Sequence, residues 1–258
     1  MHIHNLFNLE GRVAVVTGGY GIYGAPLSEA LAEAGAHVVI ASRSREACEA
    51  FAQTLRERSL KASAYVCDQG SEASILAFRD HCLQTFGHVD VLVNNSVGRS
   101  MRTFADPLDA FRDSMEVNAT GLFAISRAFL EPMMARGAGS LINIASIQAI
   151  VAPDFQNYAG TSMSTPPDYH FHKHGMIGLT RYLAALGGPR GVRVNAISPG
   201  GFQTESHQEP FISQYCRRVF LGRMARHDDI KGAVVFLASE ASAYITGQNI
   251  VIDGGYTC

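Results

Sequence analysis

Val13-Ala14-Val15-Val16-Thr17-Gly18-Gly19-Tyr20-Gly21-Ile22-Tyr23-Gly24 decides the fold. Its first five residues are a short β-branched run, the pattern of a parallel strand buried on both faces. The glycines follow at once, and a helical pattern then runs to Ala34, with Gly35 as its stop. Strand, glycine loop and helix in that order are the setting that Gly-x-Gly-x-x-Gly requires, here Gly19, Gly21 and Gly24. Glycines let the backbone approach a pyrophosphate, whose charge then faces the helix N-terminus. A plain tight turn is the bland alternative. The flanking strand and helix favour a dinucleotide site, with Gly18, Tyr20 and Ile22 as further contacts of the loop.

The same alternation repeats outward. Strands are expected at 37–41, 61–67, 89–93, 141–145, 192–197 and 249–252, and helices at 71–86, 106–136, 169–186 and 228–238. Alternating strands and helices with no linker or composition break give one α/β domain over residues 1–258. The expected architecture is a single Rossmann fold, a doubly wound parallel sheet of about seven strands with helices on both faces.

In the usual dinucleotide fingerprint, an acidic residue about 20 positions past the glycines holds the ribose 2′-hydroxyl. Here Ser42-Arg43-Ser44-Arg45 stands in that place. A guanidinium without a carboxylate suits a 2′-phosphate, so NADP is expected over NAD. The competing reading makes Arg43 and Arg45 solvated residues at a helix start. Asp68, with Gln69 beside it, ends the third strand and can accept from an adenine amino group.

Composition bounds the remainder. The chain has 258 residues, 47% hydrophobic and 17% charged, with a net charge of −2. That balance argues against nucleic-acid and membrane-surface partners. No apolar run approaches the ~20 residues of a membrane span. Met1-His2-Ile3-His4-Asn5 lacks the basic and apolar regions of a signal peptide, and the five cysteines form no Cys-x-x-Cys pair. A cytoplasmic protein with reduced thiols is expected.

Chemistry enters at Tyr169-His170-Phe171-His172-Lys173. Tyrosine and lysine four apart share one face of a helix. A free phenol titrates near ~10. An ammonium about 4 Å away contributes roughly 4 kcal/mol at an effective dielectric of ~20, enough to bring a phenol toward a neutral working range. Ser146, at the end of Leu141-Ile142-Asn143-Ile144-Ala145, offers a hydroxyl to hold a substrate oxygen. Taken alone, Tyr-x-x-x-Lys also reads as a surface helix pair.

Together these pieces resemble the short-chain dehydrogenase/reductase family from Gly11 to Gly255. The matching residues are Val16-Thr17-Gly18-Gly19, Asp68, Asn94-Asn95, Val117-Asn118-Ala119-Thr120-Gly121, Ser146, Tyr169 with Lys173, Arg193 to Gly200, and Asp253-Gly254-Gly255. The resemblance implies a catalytic set of Tyr169 as general acid/base, Ser146 orienting the substrate oxygen, Lys173 binding nicotinamide ribose and lowering the Tyr169 pKa, and Asn118 holding a relay water. It also implies cofactor contacts at Asn95, Ser96, Pro199, Gly200 and Thr204, and a homotetramer built on the Asn118 and Tyr169 helices and the C-terminal end.

Four departures accompany the resemblance. The glycine spacing is closer to that of sugar epimerases and dehydratases, an activity that usually needs a longer substrate domain. Asn94-Asn95-Ser96-Val97-Gly98 carries an extra residue. His170-Phe171-His172 replaces small residues. Ser146 and Tyr169 are 23 apart, well beyond the family's habit. Tyr158 sits nearer the usual distance, but Ser162 stands four residues after it, so Tyr158 belongs to an insertion. That insertion resembles one in a subset linked to sugar and sugar-acid oxidoreduction. Its polar side chains make Gln148, Gln156 and Tyr158 candidate substrate contacts, together with Arg99 as an anion partner and His207 in a substrate lid from 201 to 223. His170 and His174, one turn apart, lack a third ligand, and no metal is expected. The expected activity is NAD(P)-dependent oxidation or reduction of a secondary alcohol or ketone on a sugar, sugar acid or polyol. A 3-oxoacyl or other small ketone, or non-catalytic dinucleotide binding, are the alternatives.

Overall fold

Seven parallel strands form one sheet in the order β3-β2-β1-β4-β5-β6-β7, in a computed structural model that describes residues 2–258. Met1 lies outside the described residues. After a short helix α1 (Ile3–Leu6), the chain runs β1 (Val13–Thr17), α2 (Gly24–Glu33), β2 (His37–Ser42), α3 (Arg45–Glu57), β3 (Ala62–Val66) and α4 (Glu72–Phe86). It continues through β4 (Val91–Asn94), α5 (Leu108–Met115), α6 (Leu122–Arg136), β5 (Gly139–Ile144), α7 (Pro167–Gly187) and β6 (Val192–Pro199). Helices α8 (Phe211–Cys216) and α9 (Lys231–Ala238) and strand β7 (Asn249–Ile252) complete it.

The pleat of β1 shows why its sequence is apolar throughout. Ala14 and Val16 join the core beneath α2, α3 and α9, where Leu27, Leu31, Leu55 and Val234 are buried. Val13 and Val15 join the opposite core, beneath α4 and α6, with Phe78, Phe129 and Met133. A strand covered on both faces has no polar side to present. The expected single domain with helices on both faces of a parallel sheet is what the chain forms.

Strand order reverses between β1 and β4. In such sheets the crevice lies at the carboxyl ends of the strands at that switch. Gly18, with φ at +61°, and Asn95 stand there. Asn95 Nδ2 donates to the carbonyls of Thr17 and Gly18, both at 3.0 Å, and pins the glycine loop to the end of β4.

One expectation is corrected here. The long helix expected at 106–136 is interrupted by a π-helical turn, Glu116–Gly121, between α5 and α6. Asn118 sits in that turn and exchanges hydrogen bonds with the backbone of Gly98, both at 2.8 Å. The turn also brings Gly121 so close to Gln69 that a Cβ there would lie 2.1 Å from its carbonyl oxygen. A widened turn is how a helix accommodates such a local contact. Within the lid expected from 201 to 223, α8 forms and buries Phe211 and Tyr215. Its apolar residues pack on the insertion, a partner that local periodicity does not reveal.

Candidate active site

A cleft of about 1000 Å³ opens at the switch, at the upper end of the range for small-molecule sites. Gly18, Tyr20, Gly21 and Ile22 form its floor beside α2. Gly19 and Gly24 lie behind that floor rather than on it. A Cβ at Gly24 would sit 1.9 Å from the Gly18 carbonyl oxygen, and one at Gly19 would sit 2.8 Å from Ser28 Oγ. Their glycine character serves close packing of loop on helix. The residues present therefore fit a dinucleotide, with a backbone cradle at the N-terminal end of α2.

Ser42, Arg43 and Ser44 line the far end of the cleft. Ser42 Oγ is engaged internally, accepting from the Ser44 amide at 3.1 Å and lying 3.1 Å from Cys48 Sγ. Ser44 caps α3 by accepting from the Ala47 amide. Arg43 is exposed and, among the described residues, no carboxylate pairs with it. Asp68 and Gln69 also line the cleft. Asp68 accepts from the Gly70 amide at 3.0 Å, and Gln69 donates to the Val117 carbonyl at 2.9 Å.

Ser146, Tyr169 and Lys173 meet at the other end, with Asn95, Ser96, Arg99, Pro199 and Gly200 around them. Ser146 Oγ accepts from the Gln148 amide at 3.1 Å, which starts a short 3₁₀ turn. Lys173 is fully enclosed and donates to the Ile144 carbonyl at 2.6 Å, with its nitrogen 5.6 Å from the Tyr169 ring centroid. Burial, and secondarily the Arg99 guanidinium, depress its pKa to about 7. This corrects the electrostatic expectation for Tyr169. Burial raises the phenol above its ordinary value, and the hydrogen-bonded Ser146 hydroxyl and the Arg99 cation pull it back. An ammonium half-titrated near neutrality and bonded to a carbonyl is not the full charge at 4 Å that helix spacing suggested.

Several anticipated residues lie outside the cleft lining. Asn118 spends its side chain on Gly98 and Ser114. Thr204 and His207 bond each other on the lid, at 3.3 Å. Gln156 is exposed on the turn Phe155–Tyr158, because the apolar side of that turn packs against the lid. Gln148 and Tyr158 stand one layer back. Gln148 accepts from Thr165 Oγ1 at 3.0 Å, Thr165 reaches His170 Nε2 at 3.3 Å, and Tyr158 packs on Phe211 with 5.5 Å between ring centroids. His172 is buried with both ring nitrogens unpaired, edge-on to Tyr169 at 5.2 Å between centroids. Burial takes its pKa down to about 3, so it is neutral. His174 is exposed and lies 2.9 Å from the His170 carbonyl.

The residues that sequence reasoning missed include Tyr23, Val97, Gly98, Val117 and Ala145, all on the cleft wall. Tyr23 donates to the Gly200 carbonyl at 2.6 Å, tying the glycine loop to the loop after β6. Its position in the departed glycine spacing was the available signal.

Comparison with known proteins agrees with this geometry. Residues 21–257 match the family described as enoyl-(acyl carrier protein) reductase. The chain is 36% identical over 256 residues to a D-threitol dehydrogenase of Mycolicibacterium smegmatis, covering 97% of this chain and 95% of that one. It is 34% identical to the crystal structure of a gluconate 5-dehydrogenase from Burkholderia cenocepacia in complex with NADP and tartrate, with a TM-score of 0.88 and 99% of each chain covered. A structure of NAD⁺-bound xylitol dehydrogenase superposes with a TM-score of 0.86 at 29% identity, over 96% of this chain and 99% of that one. With the glycine cradle, the Ser146–Tyr169–Lys173 cluster and near-complete coverage in hand, the chain belongs to the short-chain dehydrogenase/reductase family and is an NAD(P)-dependent oxidoreductase acting on CH–OH groups.

Proposed function

We propose that the protein interconverts a secondary alcohol and its ketone on a polyol, sugar or sugar acid, with NADP(H) preferred to NAD(H). The observation that carries this is the convergence of Ser146, Tyr169, Lys173 and Arg99 on one end of a cleft whose other end fits a dinucleotide. A nicotinamide bound in the cleft would accept or supply the hydride. Ser146 donates a hydrogen bond to the substrate oxygen and fixes it. Tyr169 takes the hydroxyl proton in oxidation and returns it in reduction. Lys173 would hold ribose hydroxyls of that cofactor and, when charged, would favour the phenolate. Asn118 ties the α5–α6 turn to the loop that carries Arg99. Arg99 lines the cleft close enough to act on both Tyr169 and Lys173, which suits a carboxylate, sulfonate or phosphate on the substrate. Threitol, gluconate and xylitol in the names of similar proteins support a polyhydroxylated substrate. The test is a screen of polyols, sugars, sugar acids and their keto forms with both cofactors, followed by nicotinamide absorbance. Turnover confined to apolar ketones or 3-oxoacyl substrates overturns the reading.

The cofactor preference rests on Arg43. One charged contact to a 2′-phosphate is worth ~1.5–3 kcal/mol, or about ten- to a hundred-fold in affinity. Arg43→Ala is expected to erase the preference for NADPH in a fluorescence titration. Tighter wild-type binding of NADH than of NADPH sinks it.

A homotetramer in the cytoplasm is the expected setting. Phe171, Tyr182 and Leu186 form an exposed apolar stripe along α7, broken only by small Gly175 and Gly178, with space around both glycines. Tyr244 and Val251 are exposed beside β7. Two separate apolar faces suit a closed symmetric assembly. Light scattering should give about four times 27.8 kDa, and a monomer at micromolar concentration refutes it.

A further inference from the structure

Three segments distant in sequence close into one small core beside Ser146. Ile147 comes from the insertion, Phe211 and Tyr215 from α8, and Val219 and Met224 from the stretch after it, and all are buried together. Tyr158 and Met163 of the insertion and Tyr256 of the C-terminal tail pack against them. The core thus joins the insertion, the lid and the tail, not any two alone.

Polar contacts fasten the same three pieces. Buried Asn157 Nδ2 donates to Tyr256 Oη at 2.7 Å. Tyr256 stacks on Tyr215, 4.8 Å between centroids and 22° between planes. Tyr215 Oη accepts from the Gly201 amide, at the point where the lid leaves the cleft wall. Arg218 pairs with Asp154 at 3.0 Å and lies over the Tyr256 ring at 5.9 Å. Gln214 Nε2 donates to the Ala159 carbonyl at 2.9 Å. The tail itself is held by Asp253, which accepts from the Gly255 and Thr257 amides at 2.8 Å each. The insertion's other end reaches the catalytic helix through Gln148, Thr165 and His170.

We propose that Tyr256 is a positioning residue for substrate. It latches insertion to lid, and the joined pair backs the cleft wall behind Ser146 and Gly200, which line it. Tyr256 lies outside the cleft lining, so it acts through Asn157 and Tyr215. This rests on the placement of substrate beside Ser146 and Tyr169 given above.

The test separates wall from cofactor. Tyr256→Ala should raise KM for the best alcohol from the screen by about ten-fold or more, while the Kd of NADPH stays within about two-fold. Tyr256→Phe keeps the stacking and loses the acceptor for Asn157, so a rise of roughly two- to ten-fold is expected. Tyr256→Phe and Asn157→Leu break the same bond, so their double variant should cost little beyond either alone. A second readout needs no substrate: cleavage within residues 202–224 by a dilute protease should speed up in Tyr256→Ala. Wild-type KM and wild-type cleavage in that variant overturn the latch. If Tyr256→Ala does not fold, the combination of Tyr256→Phe with Arg218→Ala decides by the same two measurements. A screen without polyol turnover, combined with faster cleavage, counts against the substrate reading and leaves the latch standing.

Discussion

Tyr169→Phe is expected to reduce kcat by about 10²- to 10⁴-fold, the usual contribution of a positioned acid/base. The substitution removes one hydroxyl from a ring that packs edge-on against His172, so the fold and the cofactor cleft should be retained. Kd for NADPH, read by fluorescence, should change less than about two-fold. Tyr158→Phe should keep substantial activity, because Tyr158 packs on Phe211 behind the wall and does not line the cleft. The opposite ranking of the two variants refutes the assignment. The pH dependence has a definite sign. Burial raises the Tyr169 pKa, outweighing the Ser146 hydroxyl and Arg99. Oxidation, which needs the phenolate, should therefore accelerate as pH rises into the alkaline range. Reduction, which needs the phenol, should slow over the same range.

Lys173→Met should produce an enzyme that is more stable and nearly inactive. The wild-type ammonium is enclosed, and burial takes its pKa from 10.5 down to about 7. Disfavouring the proton in the folded state costs on the order of 4 kcal/mol at and below pH 7. The sign follows from the depressed value. Between pH 10.5 and 7 the unfolded chain binds a proton that the folded one resists, so this group erodes stability as pH falls through that window. Below pH 7 the loss is complete and constant. Methionine is of similar length and carries no charge, although it leaves the Ile144 carbonyl without its partner. A net rise in Tm of several degrees is expected at pH 7, at about 2–4 °C per kcal/mol. The gain should shrink toward pH 10. Turnover should drop at least ~10²-fold, since the proposed ribose contacts and a cation beside the Tyr169 ring are lost together. A lower Tm at pH 7 overturns the claim that this lysine is held at a cost to stability.

What the sequence disclosed and what it withheld differ in range. Val13 to Gly24 was legible because strand, loop and helix are adjacent and each follows a local rule. The alternation of strands with helices and the pairing of Ser146 with Tyr169 and Lys173 were legible for the same reason, with the resemblance closing the gap across the insertion. Four features were not. The π-helical turn exists because Asn118 finds Gly98, a contact 20 residues away. Helix α8 is stabilised by the insertion and not by its own pattern. Lys173 depends on an enclosure that spacing cannot measure. Gln156 looked like a substrate contact from composition, but the turn that carries it buries Asn157 and points Gln156 to solvent. In each case a distant partner outvoted a local preference.

The central position of β1 has a consequence for how the chain gets to this structure. Its partners are β2 on one side and β4 on the other, and both unions are parallel. A parallel pair cannot close as a hairpin, so every join waits for a helical crossover. The β1–β4 pairing, which creates the crevice, spans the whole of β2, α3, β3 and α4. Ser146 and Gly200 arrive from pairings made further outward, β5 on β4 and β6 on β5. Long loops must therefore be closed before any catalytic group has a neighbour, and folding should be slow for a chain so rich in helix. After dilution from denaturant, helical signal should return first and enzymatic turnover well after it, with no partly assembled form able to catalyse.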